Sequence, residues 1–377
     1  MSTPDVELYY WTGSNYTSFN APIQSMTISR GRSRQLNRYE SGSATINFYN
    51  ADRKLDPLNT SSPYNSLIVP RVEFQVKADS TPIFTGVVTD WDLSYDITGQ
   101  DTATAYCSDA MTVLANYVFT SATSFLGGSC GDRFQDVLDH FNYPGATDLD
   151  PGNANLAPDV VEPDVQCIDY LFNIAQSDGG NFFIAADGDV TFAGRYGASS
   201  TAEVAFADDG TGIGYSALQN QYGDELLFNQ VYVASSAGST TLQNTTSINS
   251  FGLSVLSLPD LANAFVVDLI GIATYYLDYY GEPAVRFTGL QVELAGLSSA
   301  DVEDILGLDL ADPVTVKRSF AVGSPSSVTQ NLIVTGINHQ IRPGSHVVEF
   351  TFEPSPYLDR FVLNSSTAGV LNTDLLG

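Results

Sequence analysis

Basic residues are scarce in this sequence. Its 377 residues include 15 Lys and Arg against 43 Asp and Glu, so the formal net charge is −28. The shortage is uneven, because residues 134–285 contain one basic residue, Arg195, and 20 acidic ones. A chain this negative has no general electrostatic footprint for retaining nucleic acid or an anionic membrane.

Cysteine, histidine and long apolar runs are also rare. The three cysteines are odd in number and widely spaced, which is typical of reduced, buried thiols and not of a disulfide framework. The N-terminus has no basic region followed by an apolar run, and the longest apolar stretch, residues 263–281, is interrupted by Asp268 and Asp278. The sequence therefore predicts no secretion signal, no membrane anchor and folding in a cytoplasm.

Alternating strands dominate what is present. Ala44, Ile46 and Phe48 alternate with polar neighbours, and the segments 71–78 and 86–96 have the same period of two. Strands at this spacing, separated by turn residues, indicate a small barrel or sandwich. Residues 1–107 are accordingly predicted to form an N-terminal barrel-like β domain.

The period changes to a helical one in residues 108–215. Apolar residues at helical spacing predict one helix over 134–141, with Asp132 as its N-cap, and a second with Asp164 as its cap and Gly179 at its left-handed exit. The Asp187-Gly188 pair then predicts a hairpin with a type I′ turn. This segment is therefore expected to be an inserted α/β domain.

Strands return in residues 216–357, which are predicted to form a second barrel-like β domain. It includes a helix over 259–280, which begins at Pro259, and a closing hairpin around Pro343-Gly344. The last residues, 358–377, are expected to be an arm. The fold class is thus α+β and mainly β, with two barrel-like domains and an α/β insertion, and no internal sequence repeat is found.

The sequence contains no recognisable catalytic or metal-binding motif. There is no Gly-x-Ser-x-Gly elbow, and Asp90 and Asp92 project from the polar face of one strand, which favours solvated carboxylates over a glycosidase pair. His339 and His346 are expected to share a face of the final hairpin, but no third metal ligand is near them in sequence. The sequence predicts no enzyme, no metal and no cofactor.

Four arginines cluster in an otherwise acidic chain. Arg30, Arg32 and Arg34 alternate, so on an extended segment they would point one way, and Arg38 follows four residues later. One interpretation is a solvated strand end. The other is a basic patch that meets acidic surface on an identical or related subunit, since the planar guanidinium pairs carboxylates bidentately. A nucleic-acid patch is disfavoured because no aromatic residues are interleaved.

The order of motifs resembles the baseplate hub, or minor tail, proteins of long-tailed phages. The basic strand is followed by Gly-x-Ala-x-Ile, by Asn-x-Asp-x-x-Leu-Asp-Pro and by "IFTGVVTDW". Later come "CIDYLFNIAQSDGGNFFIAADGDVTFAGR", "YYGEPAVRF", "DLADPVTV" and the closing "VTGINHQI" and "HVVEFTFEP". Together these motifs cover about residues 22 to 357.

The resemblance implies a homotrimeric hub at the tail tip of a virion, assembled in the host cytoplasm. Two barrel-like domains per chain would form a pseudo-sixfold ring, joining the sixfold tail to threefold components. The implied partners are the distal tail protein ring, the tape measure protein and tail spike or fibre proteins, with double-stranded DNA passing without specific binding. No appended lysozyme, peptidase or fibre module is present in this chain.

Two alternatives remain open at this stage. A distal tail protein is hexameric and also built around a β-rich ring, and a carbohydrate-binding adhesin would use exposed aromatics such as those of "YYLDYY" at 275–280.

The charge distribution predicts the potential of a channel wall, if the chain forms a ring. Residues 1–107 have a net charge of −3 and residues 286–377 of −5, so a channel wall built from them should be weakly negative or neutral.

Overall fold

The fold is mainly β, and this computed structural model describes residues 3–32, 34–197 and 202–355. The first strands are β1 (Val6–Trp11), β2 (Tyr16–Ser18), β3 (Ile23–Gly31), β4 (Glu40–Tyr49), β5 (Glu73–Ala78), β6 (Thr81–Ser94) and β7 (Thr102–Ser108). Short middle strands follow, namely β8 (Thr123–Phe125), β9 (Gly128–Ser129), β10 (Thr147–Leu149), β11 (Asn155–Leu156), β12 (Asp159–Val161), β13 (Asn181–Ile184) and β14 (Val190–Ala193).

The remaining strands belong to the second half of the chain. They are β15 (Val204–Ala207), β16 (Ala217–Gln221), β17 (Gln230–Ser235), β18 (Gly238–Gln243), β19 (Val255–Leu261), β20 (Arg286–Glu293), β21 (Pro313–Ser319), β22 (Ser327–Arg342) and β23 (Ser345–Pro354). The helices are α1 (Ala110–Leu114), α2 (Cys130–His140), α3 (Cys167–Asp178), α4 (Thr245–Phe251), α5 (Val266–Tyr280) and α6 (Ser299–Gly307). A 3-10 turn spans Asn65–Leu67.

One large sheet takes strands from both halves of the chain. Its order is β16-β20-β23-β22-β3-β4-β7-β6-β5-β1-β2, with β15 and β21 branching from β22. Neighbours along this path are antiparallel, and β3 joins the halves by pairing with β22. Among the described residues the end strands of this order, β16 and β2, do not pair with each other, so no closed barrel is formed. The expected pair of barrel-like domains appears instead as two regions of one sheet.

The two regions repeat the same strand order. Strands β3, β4, β6 and β7 lie in the order β6-β7-β4-β3, and strands β16, β20, β22 and β23 lie in the order β22-β23-β20-β16. Each region also has one long strand, β6 in the first and β22 in the second. The strand that precedes it in the chain pairs with its first half: β5 pairs with β6, and β21 pairs with β22. A bulge interrupts each long strand, between Val88 and Asp90 and between Val334 and Gly336. We call these regions, with β5 and β21, the N-terminal unit and the C-terminal unit.

The insertion packs α2 and α3 against the sheet β10-β14-β13. The predicted caps are wrong at both helix starts. Ser129 caps α2 by accepting the backbone N–H of Asp132, and α3 begins at Cys167 because an extended bridge between Gln166 and Val118 precedes it. Gly179 does end α3 in the left-handed conformation, as predicted.

The predicted hairpin of the insertion is formed by β13 and β14, but its turn is not type I′. That turn requires positive φ at both central residues, whereas Gly188 (φ 103°) has it and Asp187 does not. The hydrogen bonds from Gly188 N to Ala185 O (3.0 Å) and from Ala185 N to Asp189 O (2.9 Å) close a longer loop.

A small three-stranded sheet, β18-β17-β19, packs against α5 and has its own buried cluster. The predicted helix start at Pro259 is wrong, because Pro259 lies in β19, which pairs in parallel with β17, and α5 begins at Val266. α5 ends at Tyr280, as predicted. No helix among the described residues is long and apolar enough to cross a membrane.

The core lies on one face of the large sheet. Ile28, Ile46, Ala105, Val348 and Phe350 point inward from four strands of the sheet, β3, β4, β7 and β23, and are fully or almost fully buried. Their burial removes apolar surface from water at roughly 25 cal/mol per Å², which is the main term stabilising the sheet. The other face of the same strands is left to the solvent.

Candidate functional site

The solvent face of the large sheet carries two rows of paired side chains across the seam, and all of them except Val347 are polar. One row is Tyr106, Thr45, Thr27, Gln340, Val347 and Glu293, and the next is Ser108, Ser43, Ser29, Asn338, Glu349 and Gln291. We call these rows the polar face. Hydroxyls and amides dominate it, with carboxylates at one end and no basic residue, and Arg342 lies beyond the rows at the tip of the last hairpin.

Hydrogen bonds link neighbouring strands beside these rows. Thr104 Oγ1 donates to Asn47 Oδ1 (2.9 Å), and Asn47 Nδ2 donates to Ser25 Oγ (3.1 Å). The Tyr106 hydroxyl donates to Asp92 Oδ2 (3.2 Å), and this bond and the carboxylate's charge raise the pKa of Tyr106. Asp90 and Asp92 are exposed, as the sequence predicted, and add negative charge to the solvent face of β6.

The first two predicted site residues are buried within the chain. Arg30 is 5% exposed and donates to Ile184 O (3.0 Å) and Asp309 Oδ1 (2.5 Å). Arg32 pairs with Glu353, donates to Asn37 O (2.9 Å), and lies with its guanidinium carbon 4.7 Å from the centre of the Tyr39 ring. These two arginines join the N-terminal unit to the insertion and to the C-terminal unit.

The other two are exposed on the surface. Arg34 contacts Glu225 (3.3 Å) and Arg38 contacts Asp169 (2.9 Å), and the four side chains are more than half exposed. Exposed pairs of this kind contribute about 0–1 kcal/mol, so both guanidinium groups can exchange partners at little cost. The idea of a subunit contact therefore rests on Arg34 and Arg38.

The extended segment expected through Arg34 ends early, at Gly31. Gly31 has φ 105°, and a Cβ there would lie 2.3 Å from Thr335 O and 2.5 Å from Gly336 Cα. The close approach of β3 to β22 therefore requires glycine at the seam, and the chain then turns through Leu36, which also has positive φ (65°). Arg34 and Arg38 consequently do not share a strand face with Arg30.

Two histidines lie together under the polar face, as the hairpin predicted. His339 Nδ1 and His346 Nε2 are 3.0 Å apart, and both side chains are buried. Burial lowers the pKa of His346 to about 4 and holds the pKa of His339 well below its usual value, so both rings are neutral near pH 7. Among the described residues no group of three or more His, Cys, Asp or Glu could hold a metal ion.

Sequence reasoning missed two free edges of the large sheet. Beyond Val88, β6 pairs with β7 on one side, and no described strand pairs with it on the other. At one end of the strand order, β16 pairs with β20 alone among the described strands, and its residues are mostly exposed. Unpaired edges are a template for adding another strand. No sequence signal marks them, because an edge is defined by the neighbours that a strand lacks.

Comparison with known proteins points to tail proteins through structure and not through sequence. No family model matches the chain, and no curated protein matches it. A tail protein from Neisseria meningitidis superposes with a TM-score of 0.62 at 13% identity, covering 94% of this chain and 98% of the other. The 43 kDa tail protein of prophage MuSo2 from Shewanella oneidensis gives 0.59 at 14% identity, with coverage of 94% and 98%.

A third solved structure shares the fold. It is an E. coli component of the type VI secretion system, described as structurally similar to the bacteriophage T4 tail proteins gp27 and gp5. Its TM-score is 0.51 at 11% identity, with 92% of this chain and 76% of the other covered. The chain therefore has the fold of phage tail proteins, and the resemblance that the motif order indicated is confirmed at the level of fold.

Proposed function

We propose that this protein is a structural baseplate hub at the tail tip, where three copies form a ring that joins the sixfold tail to threefold spike or fibre components. The observation that carries the proposal is the repeated strand order of the N-terminal and C-terminal units. Three chains with two equivalent units each present six similar faces, as mating with a sixfold tube requires. Heterologous contacts with a closing rotation generate such a ring.

The free edges indicate how the copies join. Within the chain, the first strand of the N-terminal unit, β3, pairs with the second half of the long strand β22. The equivalent strands with a free edge are β16 and the second half of β6. An antiparallel pair between β16 of one copy and β6 of the next would repeat the seam between chains.

The equivalence also predicts a register. Gln340 faces Thr27 across the seam. The matching bulges make Ser94 the counterpart of Gln340, and the pairing across β20 and β4 makes Gln219 the counterpart of Thr27. Ser94 of one copy should therefore face Gln219 of the next. In this register Arg34, which contacts Glu225 just beyond β16, lies beside the acidic stretch of the neighbouring β6.

The polar face suits the wall of a conduit for DNA. Duplex DNA carries about one negative charge per ~1.7 Å, and Lys or Arg side chains on the wall would retain it by releasing counterions. Hydroxyls and amides make no such attraction, and the few carboxylates oppose it. The proposed passage of DNA without specific binding follows from this chemistry.

The outer parts of the chain would meet the remaining partners. The proposed neighbours are the distal tail protein ring, the tape measure protein, and spike or fibre proteins, with assembly in the host cytoplasm and final location in the virion tail tip. The strongly acidic residues 134–285 lie mostly outside the large sheet, and their charge reaches only about 8 Å through physiological salt. Their proposed use is solubility and attraction of basic partners.

A cysteine pair tests the ring. The variant Ser94→Cys with Gln219→Cys, oxidised at low concentration, is expected to give covalently linked dimers and closed trimers on a non-reducing gel. The native cysteines are buried, so they should not form disulfides between copies in this assay. Ser94→Cys with Thr27→Cys is the matched control, because Thr27 lies inside the sheet and cannot meet a neighbouring edge. A linkage pattern identical in both variants would refute the edge pairing.

Symmetry separates the hub from a distal tail protein. Three copies per ring in a reconstructed tail support the hub, and six copies support the alternative.

The adhesin is disfavoured by one observation, since Tyr275 and Tyr280 of "YYLDYY" are 8% and 1% exposed and cannot stack on a sugar. Specific, saturable binding on a glycan array would revive it. A non-enzymatic role is part of the proposal, and a host cell-wall zymogram with a cleared band would contradict it.

A further inference from the structure

A small polar cavity of about 50 Å³ lies where four parts of the chain meet. We call it the junction cavity. It is lined by Arg32 of the N-terminal unit, by Asn181 and Arg195 of the insertion, by Tyr275 and Tyr276 of α5, and by Glu353 of β23. A volume of this kind holds ~3–4 water molecules at 10–15 Å³ each, close to the size of one tetrahedral oxyanion.

Arg195 supplies the main observation. It is 7% exposed, and its Nε and Nη1 atoms have no hydrogen-bond partner among the described residues. Its side chain is fixed between glycines, since a Cβ at Gly179 would lie 3.2 Å from its Cδ and a Cβ at Gly271 would lie 3.3 Å from its Nη2. A buried guanidinium with two open N–H groups carries a desolvation cost of about 1–3 kcal/mol per unpaired group.

Arg32 and Glu353 add one open donor and one open acceptor. Within residues 3–32, 34–197 and 202–355, Arg32 Nε has no partner, although its other nitrogens bind Glu353 and Asn37 O. Glu353 Oε2 has no partner in the same ranges. The cavity lining therefore holds two guanidinium groups and one carboxylate, with three unpaired N–H donors around the same small space.

The nearby negative groups are already engaged. Asp178 is fully buried and accepts the backbone N–H groups of Asn153, Ala154 and Arg195. At the C-terminal end of α3, the Gly179 and Gly180 N–H groups bind the Gln176 and Ala175 carbonyls. Neither feature offers an acceptor to the open nitrogens of Arg195, so the lining of the junction cavity keeps a net positive charge in a strongly acidic protein.

We propose that the junction cavity binds one inorganic phosphate ion. The three open N–H groups of Arg32 and Arg195 donate to its oxygens, and a protonated phosphate oxygen donates to Glu353 Oε2. Sulfate has the same shape but no proton to give at neutral pH, so it leaves Glu353 Oε2 facing an anionic oxygen. The site is too small for an ester with a sugar or base attached.

Bound phosphate would connect the N-terminal unit, the insertion and the C-terminal unit through charge-assisted hydrogen bonds. Its effect is expected to be a more stable folded chain, since a ligand that binds only the folded state adds stability with its concentration. This inference concerns the single chain and does not depend on how copies assemble.

Thermal unfolding with matched salts tests the site. Phosphate at pH 7 is expected to raise the Tm of the full chain by about 2 °C or more, saturably, over sodium chloride and sodium sulfate at equal ionic strength. Arg195→Gln should lose this response, and Arg342→Gln, an exposed arginine elsewhere, should keep it. Equal Tm values in all three salts would refute the proposal.

If Arg195→Gln does not fold, a second measurement on the wild-type chain still tests the site. A ³¹P NMR titration of the wild-type chain should show one saturable site per chain, with line broadening that excess sulfate does not reverse. Absence of saturable broadening would mean that the junction cavity holds only water. Competition by sulfate at equal concentration would mean general anion attraction, and would equally overturn the role given to Glu353.

Discussion

Thr27 and Gln340 face one another across the antiparallel pair that joins the two halves of the large sheet. Both side chains are exposed on the polar face, while Ile28 and His339 beside them are buried. Theirs is one of six residue pairs between β3 and β22, and this pairing of strands far apart in sequence makes one sheet from two units. It also serves as the template for the contact proposed between copies.

Reversing charge at Arg34 and Arg38 should separate assembly from folding. Arg34→Glu with Arg38→Glu is expected to weaken the ring and leave the melting curve of the monomer almost unchanged, because their exposed pairs contribute about 0–1 kcal/mol. Light scattering gives the mass and circular dichroism gives the stability. Arg71→Glu, at another exposed arginine, is the control. Unaltered assembly would mean that the segment is a solvated strand end.

A basic polar face should capture DNA. Thr27→Lys with Ser29→Lys keeps the β3 pattern, since both positions are exposed, and is expected to give salt-dependent binding of duplex DNA where the wild type gives none. Fluorescence anisotropy at low and high salt measures it. Thr27→Glu with Ser29→Glu controls for the substitutions themselves. Binding by the wild-type ring at physiological salt would contradict the proposed neutral wall.

Gly31→Ala should destabilise the seam. The added Cβ meets backbone atoms at 2.3 and 2.5 Å, and the left-handed φ adds strain, so a loss of about 2–4 kcal/mol is expected in urea unfolding. Gly13→Ala is a matched control, because Gly13 also has positive φ (93°) but open space around its Cβ, and should lose about 1–2 kcal/mol. Equal losses at both sites would show that close approach at the seam is unimportant.

The histidine pair should make stability fall in mild acid. His346 has a folded pKa of about 4, below its ordinary 6.5, so its contribution is complete above pH 6.5 and is lost as pH falls towards 4. Burial acts in the opposite direction on Asp312, whose pKa it raises to about 7, and on Asp109, raised to about 6. The wild-type profile therefore combines both effects.

Comparison with His346→Gln isolates the histidine. Between pH 7.5 and 5 the wild type should lose about 1–2 kcal/mol more than the variant, from chemical unfolding at each pH. Parallel pH profiles of the two proteins would indicate that His346 is not held neutral by burial.

Several elements could be predicted from local pattern. The alternation of Ala44, Ile46 and Phe48 matches the buried face of β4, and the apolar spacing of residues 134–141 matches α2. Gly179 and Gly344 end a helix and turn a hairpin where expected, because their positive φ is a local requirement. In each case the evidence for the structure lies within a few residues of it.

The wrong predictions concern residues whose conformation or burial depends on contacts with distant parts of the chain. Pro259 suits a first helical turn, but pairing with β17 holds it in a strand. Asp164 suits a helix cap, but the bridge between Val118 and Gln166 keeps the chain extended past it. Arg30 and Arg32 were expected at the surface. They are instead buried in ion pairs with Asp309 and Glu353, which lie near the other end of the chain.

Composition and local pattern were enough to establish the mainly β character, the placement of several helices, the acidic balance and the order of motifs typical of tail proteins. Each follows from composition or from side-chain period along a short segment. That the two β regions share one sheet and repeat one strand order is visible only in the three-dimensional structure. Pairing partners in a sheet are chosen by backbone hydrogen bonds between distant strands, and those bonds leave almost no trace in the identity of the residues that make them.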